Sequence, residues 1–503
     1  MSDFSLFYVF GSHMILQREK PINVWGCGMD GSHIKVTLCG NSLETVCQNG
    51  KWMVTFPAQP AGKGYTLTAV SDVAGQDDIV LEDISIGDIW LACGQSNMEF
   101  FLRYDKDWEQ VRQEPVNPDI HVFNVPQVAF PGHKRDIPGY GRWMQSDDAE
   151  FDTFSAPGFS FARNIQPTLG IPVGIIGCNW GGTTATSWMD ESWLTEEPLN
   201  VYLREYEEAC SLYTPEEMKK LSLKGWEFED SKEHMEEFMP LLYGRDREWQ
   251  LQYMEEHKND PVIPMGPYHI NRPAGLFHLM LEPLVPLAFK GVIWYQGETD
   301  AGHPTIYGTL LTKMITSWRE LWKDEFPFLL VQLAPFHIWL DCTADNYTVV
   351  RECQRQVTQT VPNTAMASIM DIGSYYDIHP KEKMEVGRRL ALLARGKVYG
   401  EDIVCESPEI DTYSIVGNQI TLHFAYAATL SIHGERNDFE LTQNGKKMEI
   451  NEVKVADNKI ILTVSDLTSD PCTLSLGWAD YAEIHIHNEA GLPIKPFTLE
   501  LMG

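Results

Sequence analysis

Three textures of apolar and polar positions follow one another along the chain. Residues 1 to about 83 alternate with a period of two in short runs, Ile34 to Leu38, Trp52 to Phe56 and Tyr65 to Val70. Turn-forming pairs such as Gly40-Asn41 and Asn49-Gly50 separate them, which predicts a small β-sandwich. From Ile84 to about Gly400, apolar runs suited to buried strands alternate with helical stretches, the pattern of an α/β domain with a mostly parallel sheet. The period of two returns from about Cys405, in Gln419 to Phe424, Lys459 to Val464 and Cys472 to Trp478. The expected organisation is an N-terminal β-sandwich domain over 1–83, an α/β domain over 84–400 and a C-terminal β-rich domain over 401–503.

In the central domain the apolar runs end in polar loops. Ile84 to Cys93 leads into Gly94-Gln95-Ser96-Asn97-Met98, and Ile171 to Cys178 into Asn179-Trp180-Gly181-Gly182-Thr183. Gly291 to Tyr295 leads into Gln296-Gly297-Glu298-Thr299-Asp300, and Ala365 to Asp371 precedes Tyr376-Asp377-Ile378-His379-Pro380. Parallel strands would gather these loops on one edge of the sheet. Ser96, at a strand end broken by glycine, is placed either as a nucleophile or as a simple helix cap. Between about 200 and 261 lies an acidic, helix-prone insertion in which Glu205, Glu207, Glu208, Glu216 and Glu217 accompany Trp226, Phe228 and Trp249. A solvated charged face and a packed aromatic face are expected there, and its place between two site loops makes it a candidate wall of a substrate cleft.

Composition narrows the function. A formal charge of −32 over 503 residues argues against nucleic acid and anionic membrane surfaces as partners. No apolar run is long enough to predict a membrane-spanning helix. The ten cysteines lack C-x-x-C pairs, which favours buried or free thiols over a disulfide framework or a zinc site. No metal-ligand set, Walker loop or dinucleotide fingerprint is present, so neither metal nor cofactor is expected. The N-terminal stretch has no basic n-region, and cytoplasmic residence is the expectation unless a leader has been removed.

Serine needs a base within hydrogen-bond reach to act as a nucleophile. His379 is the best-placed histidine: Pro380 reads as the first position of a helix continuing through Val386, Leu390 and Leu393, whose dipole would favour a neutral ring. Asp377 is the nearest carboxylate to orient it. Donors for an acyl oxyanion are the N–H of Ser96, a backbone N–H at Gly182 and the side-chain amide of Gln296.

Four blocks together resemble the sialate O-acetylesterase family of SGNH hydrolases. They are Gly94-Gln95-Ser96-Asn97-Met98-Glu99, Pro172 to Ile176 with Trp180-Gly181-Gly182-Thr183, Trp294-Tyr295-Gln296-Gly297-Glu298-Thr299-Asp300-Ala301, and Asp377-Ile378-His379-Pro380-Lys381 with Val386-Gly387-Arg388-Arg389-Leu390. His13-Met14-Ile15-Leu16-Gln17-Arg18 and Gly491-Leu492-Pro493-Ile494-Lys495-Pro496-Phe497 resemble further signatures near the two ends. The resemblance implies an SGNH-type three-layer sandwich and a serine esterase that removes O-acetyl groups from sugars, with O-acetylated sialic acid first among them. It implies Ser96 as nucleophile, His379 as base and Ser96, Gly182 and Gln296 as oxyanion donors. The position three residues before the histidine, where the wider superfamily carries aspartate, is Tyr376. Asp377 is therefore the candidate third member, with Asp371 or a main-chain carbonyl as other ways to orient His379. Glu298 and Arg163 are candidates for substrate contact, and Arg103 and Arg272 are further cations for a sugar carboxylate. Acetyl xylan or another plant polysaccharide is the alternative substrate, and a non-catalytic carbohydrate-binding protein the alternative of another class.

Overall fold

The computed structural model describes residues 4–238 and 243–502, without the side chains of 236–238, 435 and 436. One long strand, β1 (Ile79–Gly94), organises the first two units, and every residue from Ile84 to Gly94 is buried. Its N-terminal half pairs antiparallel with Gly62–Ser71 and parallel with Ile15–Gln17. Its C-terminal half is the centre of the main sheet, so the expected boundary at 83/84 falls inside a continuous strand. The remaining strands of that sheet are β2 (Ile120–Asn124), β3 (Trp143–Met144), β4 (Val173–Asn179), β5 (Gly291–Tyr295), β6 (Phe328–Val331) and β7 (Thr364–Ala367), in the spatial order β3-β2-β4-β1-β5-β6-β7. All pairings are parallel except β3 with β2, as the continuous apolar runs require.

Helix α1 (Ser96–Glu99) follows β1 directly, and α2 (Ala156–Leu169) precedes β4. Within the insertion lie α3 (Pro215–Glu229), opened by a capping box between Thr214 and Glu217, and α4 (Arg247–His257), capped by Asp246. Later come α5 (Tyr307–Trp322), α6 (Tyr347–Thr360) and α7 (Lys383–Leu393). Helix α7 packs closely on α2. A Cβ on Gly387 would stand 2.5 Å from the carbonyl oxygen of Pro157, so this residue of the histidine block is a glycine for close packing.

The amino-terminal signature braces β1. Gln17 and Arg18 both donate to Asp88 Oδ1 at 2.9 Å, and Arg18 and Tyr399 hold Oδ2 at 3.0 and 3.1 Å. This buried carboxylate in mid-strand is thus fully paired, and the N-terminal unit shares one hydrophobic core with the α/β unit. The C-terminal unit is separate in this respect. Its two four-stranded antiparallel sheets enclose their own core, which includes Ile420, Leu462, Leu474 and Ile494. Among the described residues, no helix is long and apolar enough to cross a membrane.

Buried polar bonds fasten the C-terminal unit to the rest. The Arg351 guanidinium donates to the carbonyls of Leu333 and Ala334 on one side and of Ala479 and Asp480 on the other, at 2.8–3.0 Å. Asp371 binds Arg389 and, at 2.8 Å, His487. Loss of the Arg351 donors would leave buried carbonyls unpaired, each costing on the order of 1–3 kcal/mol. Arg351→Met is therefore expected to destabilise the protein by about 3 kcal/mol. A urea midpoint equal to that of the wild type would refute this role.

Candidate active site

The four blocks meet at the C-terminal edge of the parallel strands. Ser96 follows β1 after Gly94-Gln95, and the turn requires a glycine. Gly94 has φ 139°, and a Cβ there would lie 2.1 Å from the Tyr295 carbonyl oxygen. Ser96 Oγ lies 2.9 Å from Nε2 of His379, a residue 283 positions later. The nucleophile and base expected from the sequence are thus in hydrogen-bond contact.

His379 is not at a helix N-terminus. Helix α7 begins only at Lys383, and His379 and Pro380 sit in the preceding turn, so no helix dipole acts on the ring as expected. Burial does that work instead, lowering the His379 pKa from 6.5, with Asp377 opposing the shift and Lys383 adding to it. The rings of Tyr243 and Trp339 stand nearly perpendicular to the imidazole, their centroids 4.9 and 5.0 Å away. Asp377 stands beside the ring, its Oδ1 3.5 Å from Nδ1, which is beyond a well-formed hydrogen bond. Its carboxylate accepts instead from two backbone N–H groups, that of His379 at 2.8 Å and that of Gly244 at 2.5 Å. Asp371, the other carboxylate considered, is committed to Arg389 and His487 and does not orient His379.

Ser96 and Gly182 both line the cleft, and among the described residues neither backbone N–H has a hydrogen-bond acceptor. Gly181 packs against Ser96, and its own N–H is taken by Glu99 Oε2 at 2.6 Å. Asn271 pins the same turn, donating to the Gly182 carbonyl and accepting from Thr184 N, both at 2.9 Å. Gln296 does not join these donors. Its amide is fully buried and gives its two protons to the Thr183 carbonyl, at 3.1 Å, and to Asp300, while Tyr307 donates to its oxygen. The oxyanion role expected for Gln296 is therefore replaced by a structural one, since an amide proton already bonded to a buried acceptor is not available to substrate.

Two further expectations change. Glu298 borders the cleft, yet its Oε1 accepts from Asn97 Nδ2 at 2.5 Å and its Oε2 is buried, so its carboxylate braces the wall rather than facing substrate. Arg163 lies on α2, bound to Glu114 at 2.7 and 2.9 Å, outside the cleft. Of the other candidate cations, Arg103 sits over Phe101 and Tyr104, and neither it nor Arg272 borders the cleft.

The insertion completes the site. Trp226 of α3 meets Trp180 of the glycine block, Gly244 holds Asp377, and Phe228, Tyr253 and His257 continue the wall of a cleft of about 1160 Å³. On that wall His269 accepts from Asn271 N at 2.9 Å through Nδ1, which fixes the tautomer with its proton on Nε2, and burial lowers its pKa to about 4. Away from the cleft, the ligand atoms of Asp190, Glu191 and His278 lie within 4.8 Å of one another. That group is closed on itself by hydrogen bonds from His278 to Glu191 and Glu282.

Residues 278–394, which carry the third and histidine blocks, match the family described as carbohydrate esterase, sialic acid-specific acetylesterase. Along 97% of its length the chain is similar to sialate O-acetylesterase of Rattus norvegicus, 23% identical over 93% of that protein. It is also 23% identical to sialate O-acetylesterase of Homo sapiens, covering 96% of this chain and 90% of that one. In structure it resembles a carbohydrate acetylesterase from Xanthomonas citri with a TM-score of 0.74 and 27% identity, over 98% of this chain and 99% of that chain. Taken with the convergence of Ser96, Gly182 and His379, these findings make the protein a sialate O-acetylesterase-like hydrolase of the carbohydrate esterase class.

Proposed function

We propose that the protein removes O-acetyl groups from sugars through an acetyl-enzyme on Ser96, within a central unit read as the SGNH three-layer sandwich. The observation that carries this reading is the 2.9 Å contact between Ser96 Oγ and His379 Nε2 beside two backbone N–H groups, of Ser96 and Gly182, that have no acceptor among the described residues. His379 Nε2 takes the serine proton as Oγ attacks the acetyl carbonyl, and the N–H groups of Ser96 and Gly182 receive the oxyanion. The same Nε2 returns the proton to the departing sugar oxygen. Water, activated by the ring in turn, hydrolyses the acetyl-enzyme and restores Ser96. Asp377 supports the turn that carries the ring, and the rings of Tyr243 and Trp339 pack against it.

O-acetylated sialic acid is the substrate named for the relatives. Its carboxylate asks for a cation, and Arg135 is the one Arg or Lys among the described cleft-lining residues. Arg135 stacks between Trp180 and Trp226 at 5.5 and 5.7 Å and binds Asp230 at 2.8 Å. A guanidinium committed in this way favours the second reading, an uncharged acetylated glycan such as acetyl xylan or another plant polysaccharide.

With p-nitrophenyl acetate, Ser96→Ala and His379→Ala are each expected to lower kcat by about ten-thousand-fold. Activity retained by Ser96→Ala would overturn the mechanism. The base works only when neutral and its pKa is lowered, so kcat/KM should fall on acidification with a midpoint below 6.5. A midpoint above 6.5 would contradict the buried, neutral ring. Acetate release from acetylated xylan oligosaccharides is expected to exceed that from O-acetylated sialic acid, and the reverse order would assign the anionic sugar.

A further inference from the structure

Behind the nucleophile, one amide joins three of the chain segments that form the site, the nucleophile turn, the third block and the histidine loop with the helix after it. Asn97 follows Ser96, and its Nδ2 donates both to Glu298 Oε1 at 2.5 Å and to the carbonyl of Ile378 at 3.0 Å. Ile378 is the neighbour of His379, so this bond spans the nucleophile turn and the histidine loop directly. The Oδ1 of Asn97 accepts from Lys383 Nζ at 2.6 Å. Every strong position of the amide is therefore used, and its orientation is fixed: turned over, its oxygen would face a carboxylate and a carbonyl.

Lys383 itself is 0% exposed, its ammonium 4.9 and 5.3 Å from the ring centres of Phe100 and Tyr295. A lysine is rarely placed so deep without a reason in charge. The reason is on the other side of Asn97, where the buried Glu298 has one oxygen without a hydrogen bond. Cation, amide and carboxylate form a line in which each charge compensates the other across a neutral bridge. Neither the mechanism above nor the expected substrate contacts use Lys383.

We propose that Lys383 is a positioning residue which, through Asn97 and Glu298, holds the Ser96 turn against the His379 loop and sets its ammonium group behind the catalytic pair. The proposal rests on the reading of Ser96 and His379 as an esterase pair. The groups facing Lys383 are Glu298, Asp377, Asp105 and Glu382, of which Glu382 also binds Lys106 at 3.2 Å. Those facing His379 are Asp377 and Lys383, with Ser96 at Nε2 and the two aromatic rings. Burial brings the Lys383 pKa down to about 7, with Glu298 the first of the groups that oppose this, so the cation is present throughout the acid limb on which His379 titrates.

The test compares the wild type, Ser96→Ala, Lys383→Met and the double variant Lys383→Met/Glu298→Gln with p-nitrophenyl acetate. Lys383→Met is expected to lose about a hundredfold in kcat with KM nearly unchanged, the scale of a misplaced catalytic group. Its acid limb should move to higher pH, because a cation facing the imidazole has gone. The double variant, with neither buried charge left uncompensated, is expected to recover to within about tenfold of the wild type while keeping the raised limb. Recovery by removing a second group is not what loss of packing alone would give. Should Lys383→Met fail to fold, the double variant decides by the position of its limb. Wild-type kcat in Lys383→Met, or an unmoved limb in whichever variant folds, overturns the proposal. Wild-type protein without activity, or an active Ser96→Ala, would instead sink the esterase reading beneath it.

Discussion

The contact between Ser96 and His379 depends on keeping two irregular loops in register at the floor of the cleft. Loops at a sheet edge are ordinarily the loosest part of an α/β protein. Here they are tied by polar bonds: Glu99 on Gly181, Asn271 on Gly182, Asn97 on Ile378 and Glu298, Gly244 on Asp377. All but the exposed Asn271 bond are buried or partly buried, where an unmade partner is costly, so the loops have few alternatives to the observed arrangement. The catalytic geometry follows from satisfying these groups as much as from the hydrophobic core beneath them.

The parts legible in the sequence are those with a period or a local motif. The alternation in Lys459 to Val464 and the continuous apolar run ending in Cys93 mark strands because burial on one or two faces leaves a direct trace in composition. Ser96, Gly182 and His379 could be singled out because each stands in a polar loop after a strand. Gln296 occupies an equally suggestive position, and only the buried acceptors around it, Thr183 and Asp300, reveal that its amide faces inward. Lys383 gave no signal of its own, since a lysine in an amphipathic helix reads as a surface residue; the neighbouring acid and amide that hold it come from segments far away in the chain. The start of α7 was placed too early for a related reason. Proline at a first helical turn is a common pattern, but here the turn of His379 is held open by Asp377 and the helix waits until Lys383.

The insertion shows how one acidic segment serves two environments. Glu207, Glu208 and Glu216 are exposed, whereas Trp226 and Tyr253 of the same segment reach the cleft. Its contribution to the site goes beyond enclosure, because Tyr243 faces the catalytic imidazole and Gly244 binds the carboxylate beside it. The same stretch of chain thus both borders the cleft and contacts the His379 loop.

Strand β1 carries a consequence of another kind. Its 16 residues, at about 3.3 Å each, make a rod of about 50 Å that enters the molecule in the N-terminal unit and ends at the nucleophile. A hinge needs a place where backbone torsions can change freely, and a strand paired along both halves offers none. The first two units are consequently joined as one body through a shared strand and a shared core, which disfavours a clamshell closure between them. Whatever adjustment accompanies the entry and exit of substrate falls to the short segments at the rim, and the nucleophile itself is the fixed point against which they move.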